Sequence, residues 1–160
     1  MRSRGQTWLL IAALSSFAIA ALHIAIAFVG APAYLYFGGS AQLVHSGSSL
    51  PTIMTLVLAG VFLVFGLYAL SGAGFIRRLP LLGMSLVVIG GLYTFRGLSA
   101  IDQTLRIVME PGSLPFRTLL YSLASLATGC AYLIGTVQSW GQFHVKKSSA
   151  EEDKASRLEL

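Results

Sequence analysis

The sequence predicts an all-α membrane protein, a bundle of four transmembrane helices with both termini cytoplasmic and a short interfacial segment in each of two outer loops. Three observations carry that prediction. Residues 5–76 contain no Lys, Arg, Asp or Glu, and a water-soluble domain cannot cover so long a stretch without charge. The chain is 55% hydrophobic and only 11% charged, against about 25% charged in an ordinary soluble domain. Finally, the apolar residues arrive in four blocks, each near the roughly 20 residues a helix needs to cross the hydrocarbon core.

The first block, 8–30, follows Arg2 and Arg4 and so invites comparison with a cleaved signal peptide. Its apolar run of about 22 residues exceeds the 7 to 15 of a signal core, which favours a retained anchor. The second block, 51–72, opens on Pro51 and the third, 79–98, carries Pro80 in its first turn, where a missing N–H is harmless. The fourth runs over 118–140. Residues 1–147 are therefore expected to form one four-span domain. Residues 148–160 hold Glu151, Glu152 and Asp153, have little to bury, and are expected to be a disordered cytoplasmic tail, native or in part an appended extension.

Orientation follows from the cations. Arg2 with Arg4, Arg77 with Arg78, and Lys146 with Lys147 flank alternate ends of successive spans. The positive-inside rule then puts both termini and the Arg77 turn in the cytoplasm; the expected location is a plasma (inner) membrane. The outer loop 31–50 lacks formal charge and places Tyr34, Tyr36 and Phe37 at interface depth before Gly38 and Gly39. In the other outer loop Ile101, Leu105, Val108 and Met109 recur at helical spacing opposite Asp102, Gln103, Arg106 and Glu110, until Pro111 and Gly112 end the pattern. This reads as a short amphipathic helix lying in the interface.

The same placement argues against nucleic acid as a partner. The net charge of +5 sits in pairs at span ends rather than in an aromatic-interleaved stripe. Cys130 is the only cysteine, so there is no internal disulfide, no CxxC redox pair and no thiolate metal centre. No HExxH motif is present, Asp102 and Asp153 are the only aspartates, and no acidic cluster offers a magnesium site. No cofactor or metal is expected.

Small residues mark the packing faces. Gly83, Gly90 and Gly97 recur every seven residues on the third span, with Thr94 on the same face. On the fourth, Tyr121, Ser125, Thr128, Tyr132, Gly135 and Ser139 form a small and polar seam. The first offers Ala12, Ser16, Ala20, His23 and Ala27 at similar spacing. Such faces let backbones approach closely in lipid, where the hydrophobic effect no longer separates protein from solvent. They serve either as bundle and oligomer contacts or as the lining of a solute path.

Two ionisable groups lie within the spans. At about 1.5 Å per residue, His23 stands roughly 22 Å from Trp8 and Arg96 roughly 25 Å from Leu79, both toward the outer leaflet. Arg96 is expected to snorkel, to pair with Asp102 or Glu110, or to contact an anion, lipid headgroup or substrate. His23 is expected to hydrogen-bond to Tyr93, Thr94 or a seam hydroxyl, or to act in a proton-linked role. The candidate ligand or ion path comprises His23, Arg96, Asp102, Glu110 and Tyr93; His45 and His144 fall outside the spans, which leaves no second imidazole at His23's depth.

The function these residues favour is a small, self-associating multi-pass membrane protein that forms a path or binding site for a small solute or ion. An accessory subunit docked on another membrane protein is the alternative, and an outer-leaflet lipid-modifying enzyme the third reading. The lipid bilayer is a partner in all three.

Overall fold

A computed structural model describes residues 3–39, 42, 48–110, 112 and 114–156, with side-chain environments up to Gly141. Among the described residues all regular secondary structure is helical, in the order α1 (Arg4–Val29), α2 (Ala31–Tyr36), α3 (Leu50–Gly72), α4 (Leu82–Met109) and α5 (Phe116–Ser156). Four helices are long and apolar enough to cross a membrane: α1, α3, α4 and the Phe116–Gly141 portion of α5. His45, with the rest of 43–47, lies outside the described residues.

The chain divides into two compact units, residues 1–12 with 68–160 and residues 13–67. In the first, α4 and α5 pack against each other. The buried residues of α4 are Leu82, Leu86, Ile89, Gly90, Tyr93, Gly97 and Ala100, a stripe at alternating three- and four-residue steps. Glycine lets the backbones meet along it. A Cβ at Gly90 would lie 3.0 Å from Tyr132 Cβ, and one at Gly97 would lie 2.6 Å from Leu126 Cα. Gly129 faces Thr94 across the same interface. Rings fill the space beside them: Tyr93 and Tyr132 stack at 5.7 Å between centroids, 15° from parallel. The start of α1 joins this unit, with Gly135 against Leu9 and Gly5 against Ser139.

The turn between α3 and α4 is held by one hydroxyl. Buried Ser71 donates its Oγ to the Arg77 carbonyl at 3.1 Å and accepts the Leu79 N–H at 3.0 Å. Arg77 and Arg78 are thereby displayed on an exposed turn. Leu81 takes a left-handed conformation (φ 52) and α4 begins only after it, so Pro80 lies in the turn rather than in the first helical turn expected from a span at 79–98.

The other end of α4 also departs from expectation. The helix does not stop near Leu98 but runs unbroken through 101–109, the segment read as a separate amphipathic helix. Nothing between Leu98 and Met109 breaks a helix, and Pro111 with Gly112 is the first pair that does. Likewise α5 continues to Ser156, so 148–156 are helical where composition suggests disorder, while 157–160 lie outside the described residues.

In the second unit α1 and α3 pack within 13–67. The Phe17 ring occupies the space beside Gly66, where a Cβ would lie 2.5 Å from it. His23 and Phe62 meet with ring centroids 5.0 Å apart. Gly30, with φ 77, turns the chain from α1 into α2, whose Tyr34 hydroxyl donates to Thr52 Oγ1 at 3.4 Å.

Candidate functional site

Arg96 stands about 21 Å along α4 from Leu82 and about 20 Å short of Met109, near the middle of a helix roughly 41 Å long. Side chains on a helix lean toward its N-terminus, yet this guanidinium reaches the other way. Its Nη1 donates to Ser99 Oγ at 2.9 Å, one turn toward the C-terminal end, and to Ser122 Oγ on α5 at 3.0 Å. That direction leads toward the exposed pair Asp102 and Arg106 and so toward the nearer polar boundary, as a snorkelling cation would point.

The hydroxyls around it are heavily used. Ser99 Oγ donates to the Arg96 carbonyl at 2.7 Å and lies 3.1 Å from Ser122 Oγ. Gln103 Nε2 also approaches Ser99, at 3.4 Å. A hydroxyl has one proton and two lone pairs. With its proton on the Arg96 carbonyl, Ser99 cannot accept from Arg96, Ser122 and Gln103 together, and the long Gln103 contact is the weakest of the three. The other end of that amide is worse placed: Gln103 Oε1 is buried with no hydrogen-bond partner among the described residues. A buried unsatisfied acceptor costs about 1–3 kcal/mol.

Within the first unit the candidate path residues have different partners. Asp102 is not the partner of Arg96; it binds Arg106 Nε at 2.9 Å in an ion pair whose side chains are 60% and 66% exposed. Spacing explains this: Asp102 is six residues from Arg96 but four from Arg106, and only i,i+3 and i,i+4 positions adjoin on a helix. Glu110 caps the end of α4, its N–H bonded to the Arg106 carbonyl at 2.8 Å, and its exposed carboxylate has no partner among the described residues. Tyr93 is buried in its stack with Tyr132. His23 belongs to the other unit; its Nδ1 lies 2.8 Å from the Ile19 carbonyl of its own helix.

Of the packing positions, Gly90, Gly97 and Gly135 stand at close helix contacts, and Gly83 is half-buried near the start of α4. Ser125 is half-buried with its hydroxyl returned to the Tyr121 carbonyl at 3.0 Å. Ser122, Ser99 and Gln103 were not singled out by sequence reasoning. The signal was available: Arg96, Ser99 and Gln103 follow one another at three and four residues, a continuous polar line on one face of α4.

Fold and site together define a four-helix, membrane-type chain whose one cation within the apolar part of α4 is held by serine hydroxyls. Comparison with models of known families, with characterised proteins and with solved structures finds no match for it.

Proposed function

We propose that the protein is a multi-pass protein of the plasma (inner) membrane, with both termini cytoplasmic, that provides a binding site or path for a small anionic solute captured by Arg96. One observation carries this reading: the Arg96 side chain is hydrogen-bonded by neutral hydroxyls alone, with no carboxylate partner among the described residues. Serine oxygens orient a guanidinium without cancelling its charge. In a medium of low dielectric such a cation attracts any anion that can reach it far more strongly than it would in water.

The reading is tested in proteoliposomes and by ligand-dependent thermal stabilisation, using chloride, acetate and phosphate. Wild-type protein is expected to be stabilised by, or to pass, at least one of these, and Arg96→Ala to lose most of the response. An Arg96→Ala protein that responds as the wild type does would remove the proposal.

The topology has its own check. In a Cys130→Ala background, single cysteines introduced at 45 and at 148 are expected to react with an impermeant maleimide from opposite sides of the membrane. Labelling of both from one side would overturn the assigned orientation.

A further inference from the structure

We infer that the turn joining α3 to α4 is a binding surface for a net-anionic phospholipid, with Phe75, Ile76 and Leu81 lodged at the acyl boundary and the exposed Arg77 guanidinium on the headgroup phosphate. The surface is separate from Arg96 and does not depend on an anion binding there. Its backbone is fixed from within the chain. The Phe75 N–H donates to the Leu70 carbonyl at 3.0 Å and the Gly74 N–H to the Ser71 carbonyl at 3.1 Å, with Gly74 at φ 79, and this pair of bonds closes the end of α3. The buried Ser71 hydroxyl then ties the carbonyl of Arg77 and the N–H of Leu79, so the segment between them is not free to swing.

What this frame holds outward is apolar and cationic. Phe75 is 48% exposed, Ile76 38% and Leu81 76%, and Arg77 is exposed among them. Leu81 is held at φ 52, a conformation unfavourable for leucine, and gains no burial within the chain in return. Two helices of membrane-crossing length meet at this turn, which places it where hydrocarbon gives way to headgroups. At that depth acyl chains solvate exposed aliphatic and aromatic side chains, while a cation beside them meets phosphate.

Charge selects the lipid. No Asp or Glu occurs among residues 1–101. Exposed Arg4 stands at the same end of this unit, since Gln6 Nε2 lies 3.5 Å from a Cβ built at Gly74. The carboxylates of α4 and α5 are remote from it. Asp102 lies about 30 Å from Leu82 along α4. On α5, Ser139 adjoins Gly5, and Glu151, the first acidic residue beyond it, is about 18 Å further along the helix. The turn thus presents positive charge that no carboxylate of the helices cancels at its own level. Phosphatidylcholine brings a choline cation to such a surface and phosphatidylglycerol does not, so the anionic lipid is favoured.

The experiment offers the full chain equimolar phosphatidylglycerol and phosphatidylcholine of matched acyl chains in detergent and counts the lipid retained by native mass spectrometry. Wild-type protein is expected to retain phosphatidylglycerol in preference. Arg77→Gln is expected to lower that preference about five-fold, the effect of one cation at an anionic surface, and Arg77→Lys to keep it. In a Cys130→Ala background, a fluorophore on Ile76→Cys in phosphatidylglycerol nanodiscs is expected to be quenched by acyl-brominated lipid rather than by aqueous iodide. Equal retention of the two lipids by the wild type overturns the inference, and this comparison needs no variant. A preference undiminished in Arg77→Gln overturns it as well, as does quenching by iodide alone at position 76. A preference that emerges only when Glu151, Glu152 and Asp153 are replaced by their amides makes the chain's own acidic segment the occupant, with the same consequence.

Discussion

Gly97→Leu is expected to force α4 and α5 apart and to leave little folded protein in detergent extracts, and Gly97→Ala to lower the thermal midpoint measurably. The reason is what lies opposite. A Cβ at Gly97 would stand 2.6 Å from both Cα and Cβ of Leu126 and 2.7 Å from its backbone nitrogen. A flexible side chain could swing away from such a contact, but a helix backbone cannot, so the whole α5 segment would have to retreat. Overpacking of that kind costs about 1–3 kcal/mol, and occasionally more, even for a few extra methylenes. In lipid the loss is not recovered by hydrophobic collapse, because close van der Waals contact is itself the main attraction between the helices. Gly91, six residues nearer the start of α4, is the matched control: nothing lies within 4 Å of a Cβ built there. Gly91→Ala should be neutral, or slightly stabilising through the roughly 1 kcal/mol by which alanine exceeds glycine in helix propensity. Thermal unfolding of the two alanine variants side by side, followed by circular dichroism, checks the pair. Equal midpoints for Gly97→Ala and Gly91→Ala would mean that α4 and α5 do not meet here.

The contrast between those two glycines indicates what could be read from residue types alone. Four apolar helices were legible because hydrocarbon leaves a chain few choices: every backbone N–H and C=O must be paired within the segment. Helix ends were less so. The span at 79–98 was bounded by where its apolar run ends, but backbone helicity answers to breakers, and none occurs until Pro111. Its start falls three residues later than expected, at Leu82, because Leu81 adopts a left-handed conformation that no local signal announces for a leucine. The seven-residue recurrence of Gly90 and Gly97 was visible as a pattern. Gly129 was not, since a single glycine on α5 acquires its role only from Thr94 opposite. At the site, Arg96 stands out as a cation in an apolar span, for which snorkelling, a carboxylate partner and an external anion are all open from the sequence. Charge suggested Asp102; helical geometry assigns Asp102 to Arg106 and leaves Arg96 with serines. Ser122 could be matched to Arg96 only once α4 and α5 were aligned in space.

Arg96→Leu is expected to separate stability from function: the variant should insert and resist heating at least as well as the wild type, yet lose anion binding. The balance of terms supports this sign. A guanidinium at the bilayer centre opposes insertion by about 2.5–3.5 kcal/mol on insertion scales, and by less toward the interface. Against this, Arg96 gains two hydrogen bonds, to Ser99 and Ser122. Between neutral and charged groups these contribute about 1.5–3 kcal/mol each in water-exposed proteins, but interhelical hydrogen bonds within membranes average only about 0.6 kcal/mol. Ser99 and Ser122 remain 3.1 Å apart, close enough to bond each other when the arginine is gone. Leucine then fills the exposed face of α4 with a side chain that lipid solvates freely. Arg96→Lys refines the result, since it keeps the charge but removes the planar fork: insertion should match the wild type, while phosphate affinity should fall by an order of magnitude or more. Thermal unfolding in nanodiscs, read with phosphate titration of the same samples, measures both quantities. A large drop in the midpoint of Arg96→Leu would make the arginine a structural strut between α4 and α5, and the charge it carries would no longer call for an anionic ligand.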